Sequence, residues 1–151
     1  MDQEQLNRGL WRAAFNGQTE KVEDYIKRGA DVNYKDGDGW SPLFVASLNG
    51  HTETVSRLVD LGADIEAKDN WCGQSPLFVA SKYGHTETVS RLVDLGADID
   101  VKDRYCGQSP LFVASKYGHT ETVSRLVDLG ADIDVKDRYV CIYLTDLCVY
   151  H

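Results

Sequence analysis

Apolar positions fall in short runs that return at a fixed interval along the chain. Between residues 75 and 96, Leu77 to Ala80 form one run, and Val89, Leu92 and Val93 follow at i, i+3 and i+4 spacing. That second pattern is the stripe of an amphipathic helix and predicts one over 86–95. Ser75 can accept a hydrogen bond from an orphan amide and Pro76 suits the first helical position, so Ser-Pro opens a helix reaching about Tyr83. Gly84 and Gly96 stand where left-handed C-terminal stops are wanted. Glu87 lies four residues before Arg91, the spacing of a surface ion pair along a helix. The segment 97–108, with its Asp and Gly residues, reads as a long turn leading to the next Ser-Pro.

The unit repeats. Residues 72–105 recur without change as 106–139, and the stretch from Ser41 is the same unit with a few substitutions. An outlying copy opens the chain, where Gly17 and Gly29 match Gly50 and Gly62. The glycines at 17, 50, 84 and 118 are 33, 34 and 34 residues apart. The extra residue falls between Asp69 and Ser75, and an insertion that leaves both flanking patterns intact marks a loop. Two helices of two or three turns are marginal alone in water, so copies must stack to build a continuous core. The architecture is an all-α repeat solenoid.

Ser41-Pro42-Leu43, Gly50-His51, Val55, Leu58-Val59 and Gly62-Ala63-Asp64, repeated at this period, resemble the ankyrin repeat. The resemblance implies stacked helix-turn-helix pairs joined by long hairpin-like loops. It divides the chain into a repeat domain, 1–139, and an apolar tail, 140–151. Within the domain lie a degenerate repeat, 1–35, and full repeats at 36–68, 69–102 and 103–136. Phe44, Phe78 and Phe112 replace the family's usual His, and Ser stands for its leading Thr. Glu66, Asp100 and Asp134 replace the family's Asn, which Asn33 retains.

Charge narrows the range of partners. Sixteen Lys+Arg against twenty-four Asp+Glu give −8, which disfavours nucleic acid through phosphate repulsion. Counted over the four repeats and the tail, the net charges are 0, −4, −2, −1 and −1. The expected partner is therefore a protein of neutral or basic surface. No apolar run approaches the roughly 20 residues that span a bilayer, so no membrane association is expected. The polar start, MDQEQLNRGLW, has no secretory apolar core, and four cysteines are too few for a disulfide scaffold. Both point to the cytoplasm.

Candidate chemistry is sparse. His51, His85 and His119 occupy one repeat position, and stacked repeats hold equivalent atoms about 8–10 Å apart, too far to share a metal ion. The same spacing argues against a Cys72–Cys106 disulfide. No nucleophile, zinc or phosphate-loop motif occurs, so no enzyme activity, metal or cofactor is expected. By the resemblance, Trp40, Trp71 and Tyr105 sit at hairpin tips, and Tyr83 and Tyr117 line a concave face at the inner-helix ends. Trp and Tyr favour interface hot spots because they bury large rigid surfaces. The expected binding surface is these five, flanked by Asp38, Asn70, Gln74, Lys82, Arg104, Gln108 and Lys116. The function implied is non-catalytic protein binding, and the alternative is a structural scaffold fragment of a repeat-rich gene, or a built repeat scaffold, with no partner of its own. The fourth unit keeps the internal stripe of Val123, Leu126 and Val127, so the tail is expected to cap it and keep the chain monomeric.

Overall fold

A computed structural model describes residues 1–104 and 106–133. Tyr105 and the proposed cap at 140–151 lie outside them. Each repeat contributes a first and a second helix. The first helices are α1 (Gln3–Phe15), α3 (Pro42–Leu48), α5 (Pro76–Lys82) and α7 (Pro110–Lys116). The second helices are α2 (Thr19–Lys27), α4 (Thr52–Asp60), α6 (Thr86–Asp94) and α8 (Thr120–Asp128). The described residues contain no strand, and the fold is the all-α solenoid expected.

The local signals act as their chemistry requires. The hydroxyls of Ser41, Ser75 and Ser109 each accept the amide of the Phe three residues on, at 3.1 Å, and Pro follows at the first helical position. In α1, which lacks Ser-Pro, Asp2 and Gln5 form a reciprocal capping box instead. Gly84 takes φ +73°, a left-handed conformation that lets the chain reverse into α6.

First helices pack in one row and second helices in another, each against its counterpart in the next repeat. The row of first helices is the tighter of the two, because Ala46, Ser47, Ala80 and Ser81 bury completely and let backbones approach. Between the rows, Val22, Val55, Val89, Leu58, Leu92 and Leu126 are wholly buried, each such aliphatic contributing about 1.5–3 kcal/mol.

Polar ladders tie one repeat to the next. His51, His85 and His119 direct Nε2 at the carbonyls of Phe15, Leu48 and Lys82, at 3.0, 2.9 and 2.7 Å. A carbonyl only accepts, so each Nε2 carries the proton. Threonine hydroxyls pair as Thr19–Thr54, Thr52–Thr88 and Thr86–Thr122 at 2.7–2.8 Å. Asn33 accepts the amide of Asp64, and the residues that replace the family's Asn still work, Glu66 and Asp100 accepting the amides of Asp98 and Asp132.

One expectation fails. Glu87 and Arg91 form no ion pair. In the preceding repeat, Arg57, which is equivalent to Arg91, reaches Glu23 across the repeat boundary at 2.6 Å. Arg125 likewise bonds Ser90 in the preceding repeat at 2.9 Å. Stacking offers these arginines a partner across the repeat boundary, so pairing along the helix is not the geometry adopted.

Candidate functional site

The hairpin tips are shaped by carboxylates, Asp69 and Asp103 buried and Asp36 partly so. Asp36 accepts the amides of Asp38 and Trp40 at 3.0 and 2.9 Å. Asp69 and Asp103 accept those of Gln74 and Gln108 at 2.9 and 2.7 Å. Backbone bonds close the same loops, from Asp36, Asp69 and Asp103 amides to the Trp40, Gln74 and Gln108 carbonyls. Burial pushes the Asp69 and Asp103 carboxyls above their usual range, while donated backbone amides oppose that rise. These are short Asx-type staples, recognisable in sequence as an Asp five or six residues before the next Ser-Pro.

Adjacent tips then bond to each other. Asn70 donates its amide to the Asp38 carbonyl at 3.0 Å, and Arg104 donates to that of Cys72 at 2.7 Å. The Trp71 indole N–H donates to the Asp38 carboxylate at 2.9 Å, leaving the ring 45% exposed. Asp38, Asn70, Trp71 and Arg104 thus form one continuous edge. Cys72 and Cys106 are buried beneath it without a disulfide.

A second cluster forms at the C-terminal ends of the first helices. Lys82 Nζ lies 5.7 Å from the Tyr83 ring centre and 5.8 Å from that of Tyr117, and Lys116 Nζ lies 5.6 Å from Tyr117. Both rings are substantially exposed, and the lysines lie over their faces.

Three expected contact residues turn inward. Gln74 and Gln108 are buried at the loop bases and have little side chain to present. Trp40 stacks on Phe44 at 5.4 Å, and its carbonyl accepts the Trp11 indole N–H at 3.0 Å. The first hairpin is one residue shorter than the others, and its aromatic residue directly precedes the Ser-Pro start; this places Trp40 against the core rather than at the tip.

The structure adds a cleft that the sequence reading did not single out. Arg8, Trp11 and Arg12 of α1 line it with Tyr34, Asp36 and Gly37 of the first hairpin. Two arginines four residues apart on one helix face were its available signal. Among the described residues, no group of three or more His, Cys, Asp or Glu is placed to hold a metal ion, and no helix is long and apolar enough to cross a membrane.

A search of the curated proteins found no match. The family model described as ankyrin repeats (3 copies) matches residues 10–103 and 61–137. With the period, the Ser-Pro caps and the two helix rows already established, the chain belongs to the ankyrin-repeat family.

Proposed function

We propose that this chain is a non-catalytic binding module that holds a protein partner on its concave face, between the hairpin tips and the first-helix ends. Ankyrin repeats are generally protein–protein interaction modules and typically non-enzymatic. The observation that carries the reading is the exposure of Trp71, Tyr83 and Tyr117 in a solenoid whose other large apolar groups are mostly covered. Rigid aromatics beside lysines give contact area at low entropic cost, the composition of interface hot spots. The remaining contacts assigned to the surface are Asp38, Asn70, Arg104 and Lys116, with Tyr105 added from the repeat equivalence to Trp71. The cytosol is the setting that fits a chain whose four cysteines are too few for a disulfide scaffold.

Crosslinked pull-down from cytosol, run with the unaltered chain and with Tyr83→Ala/Tyr117→Ala, tests the reading. A saturable partner lost in the double variant, at an unchanged melting temperature, supports it. Capture that ignores both substitutions contradicts it. The rival reading, a scaffold without a partner, predicts no saturable capture at all.

A further inference from the structure

The two end repeats of the solenoid present different surfaces. Val45, Val79 and Val113 recur at one position of the first helices, and all three are buried. In the first repeat that position is Arg12, which is exposed. Thr54, Thr88 and Thr122 each bond a threonine of the preceding repeat, and their counterpart in the first repeat is Lys21, also exposed. Charged side chains therefore stand where internal repeats dock on the one before. The fourth repeat makes no matching change on its other side. Leu77, Phe78 and Ser81 are buried in the third repeat, whereas their copies Leu111 and Phe112 are half-buried and Ser115 is exposed. An apolar face left in this state invites a partner.

We propose that residues 140–151 cover this face in the register that residues 106–117 hold on the third repeat. The period carries through 134–139, which repeat 100–105, so 140–151 follow in phase with 106–117. Cys106, Gln108, Ser109, Pro110, Val113 and Ala114 stay buried with a described repeat on one side only, so they face backwards or into their own unit. Their counterparts are Val140, Ile142, Tyr143, Leu144, Leu147 and Cys148, all apolar or aromatic. The two large residues that lose cover, Leu111 and Phe112, correspond to Thr145 and Asp146, which are polar. Apolar backwards and polar outwards is the change that a terminal unit needs. Cys141 and Val149 are exceptions, at the small positions of Gly107 and Ser115. Tyr143-Leu144 replaces the Ser-Pro start, so the hydroxyl cap is not kept and apolar burial carries the contact.

A second copy of the chain, stacked end to end, is a poorer occupant. It would bring Arg12 and Lys21 to a face whose copy on the third repeat receives Val113 and Thr122.

The test is maleimide labelling of the full chain, read thiol by thiol through peptide mass spectrometry. Cys148 takes the place of Ala114, which is wholly buried, so docking in this register shields it. It should react roughly tenfold or more slowly in the parent chain than in Leu147→Gln. Thr145→Gln puts the same new side chain on the outward side and should leave Cys148 shielded. Buried Cys72, unlabelled throughout, reports that the repeats of each variant remain folded. Equal Cys148 rates in the parent chain and Leu147→Gln would overturn the docking. Release by Thr145→Gln as large as that by Leu147→Gln would overturn the register. Shielding lost on dilution of the parent chain would overturn the tail as occupant in favour of a second copy.

Discussion

The third and fourth repeats contain the same 34 residues, 72–105 and 106–139, yet they do not bury the same atoms. Leu77 and Phe78 are 1% and 2% exposed, whereas Leu111 and Phe112 are only half-buried. Ser81 is fully buried and donates to the Leu77 carbonyl at 2.8 Å, while its copy Ser115 faces solvent. Thr86 pairs with Thr122, but among the described residues Thr120 has no such partner. With composition held constant, the difference is one of neighbours alone. Burial in this fold is a property of the interface between units, as nearest-neighbour stacking requires.

Duplicate positions allow that comparison to be tested by paired substitutions. The largest effect is expected from Leu77→Ala, which should cost about 2–5 kcal/mol because it opens a cavity in a closed interface. Leu111→Ala should cost clearly less, and urea unfolding of both variants would measure the gap; equal losses would mean that the fourth unit is as well covered as the third. Next in size is Gly84→Ala against Gly118→Ala. Both place Cβ on left-handed backbone, at roughly 1–2 kcal/mol. Only at Gly84 does the added carbon also meet a neighbour, 2.5 Å from the His119 imidazole, so its melting temperature should fall further.

A smaller effect, of opposite sign, is expected at the outer loops. Asn33 accepts the Asp64 amide and also donates to the Gly62 carbonyl at 3.3 Å, a donation that an ionised carboxylate at the same repeat position cannot make. Asp100→Asn should therefore raise stability by about 0.5–1 kcal/mol, read from the shift in urea midpoint. A loss of stability would show that the charge there is useful.

The smallest effect concerns pH. Asp69 has a raised carboxyl pKa in the folded chain because it is buried. Such a group contributes most to stability below its unfolded value, near 3.9, and that contribution is lost as pH rises through the higher folded value. The stability of the parent chain relative to Asp69→Asn should accordingly fall from about pH 4 towards neutrality. A difference that rises with pH would reverse the sign of the shift.

Much of this fold was legible because its signals are local. Ser75-Pro76 and Gly84 bound a helix through atoms a few residues away, and the period located every copy. What escaped the reading depends on stacking. Arg57 finds Glu23, and His85 finds Leu48 O, only when repeats are placed side by side. At the site, Trp71, Tyr83 and Tyr117 lie exposed as expected, while Trp40, Gln74 and Gln108 fold inward with the loops that carry them.

The central claim is that the exposed aromatics and lysines of the inner face form the binding surface. Indole N–H resonances of the nitrogen-15-labelled chain, followed during titration with the partner captured from cytosol, test it most directly. The Trp71 signal should move saturably in the parent chain and respond only at much higher partner concentrations in Tyr83→Ala/Tyr117→Ala. Saturable binding that leaves the Trp71 signal in place would contradict the account.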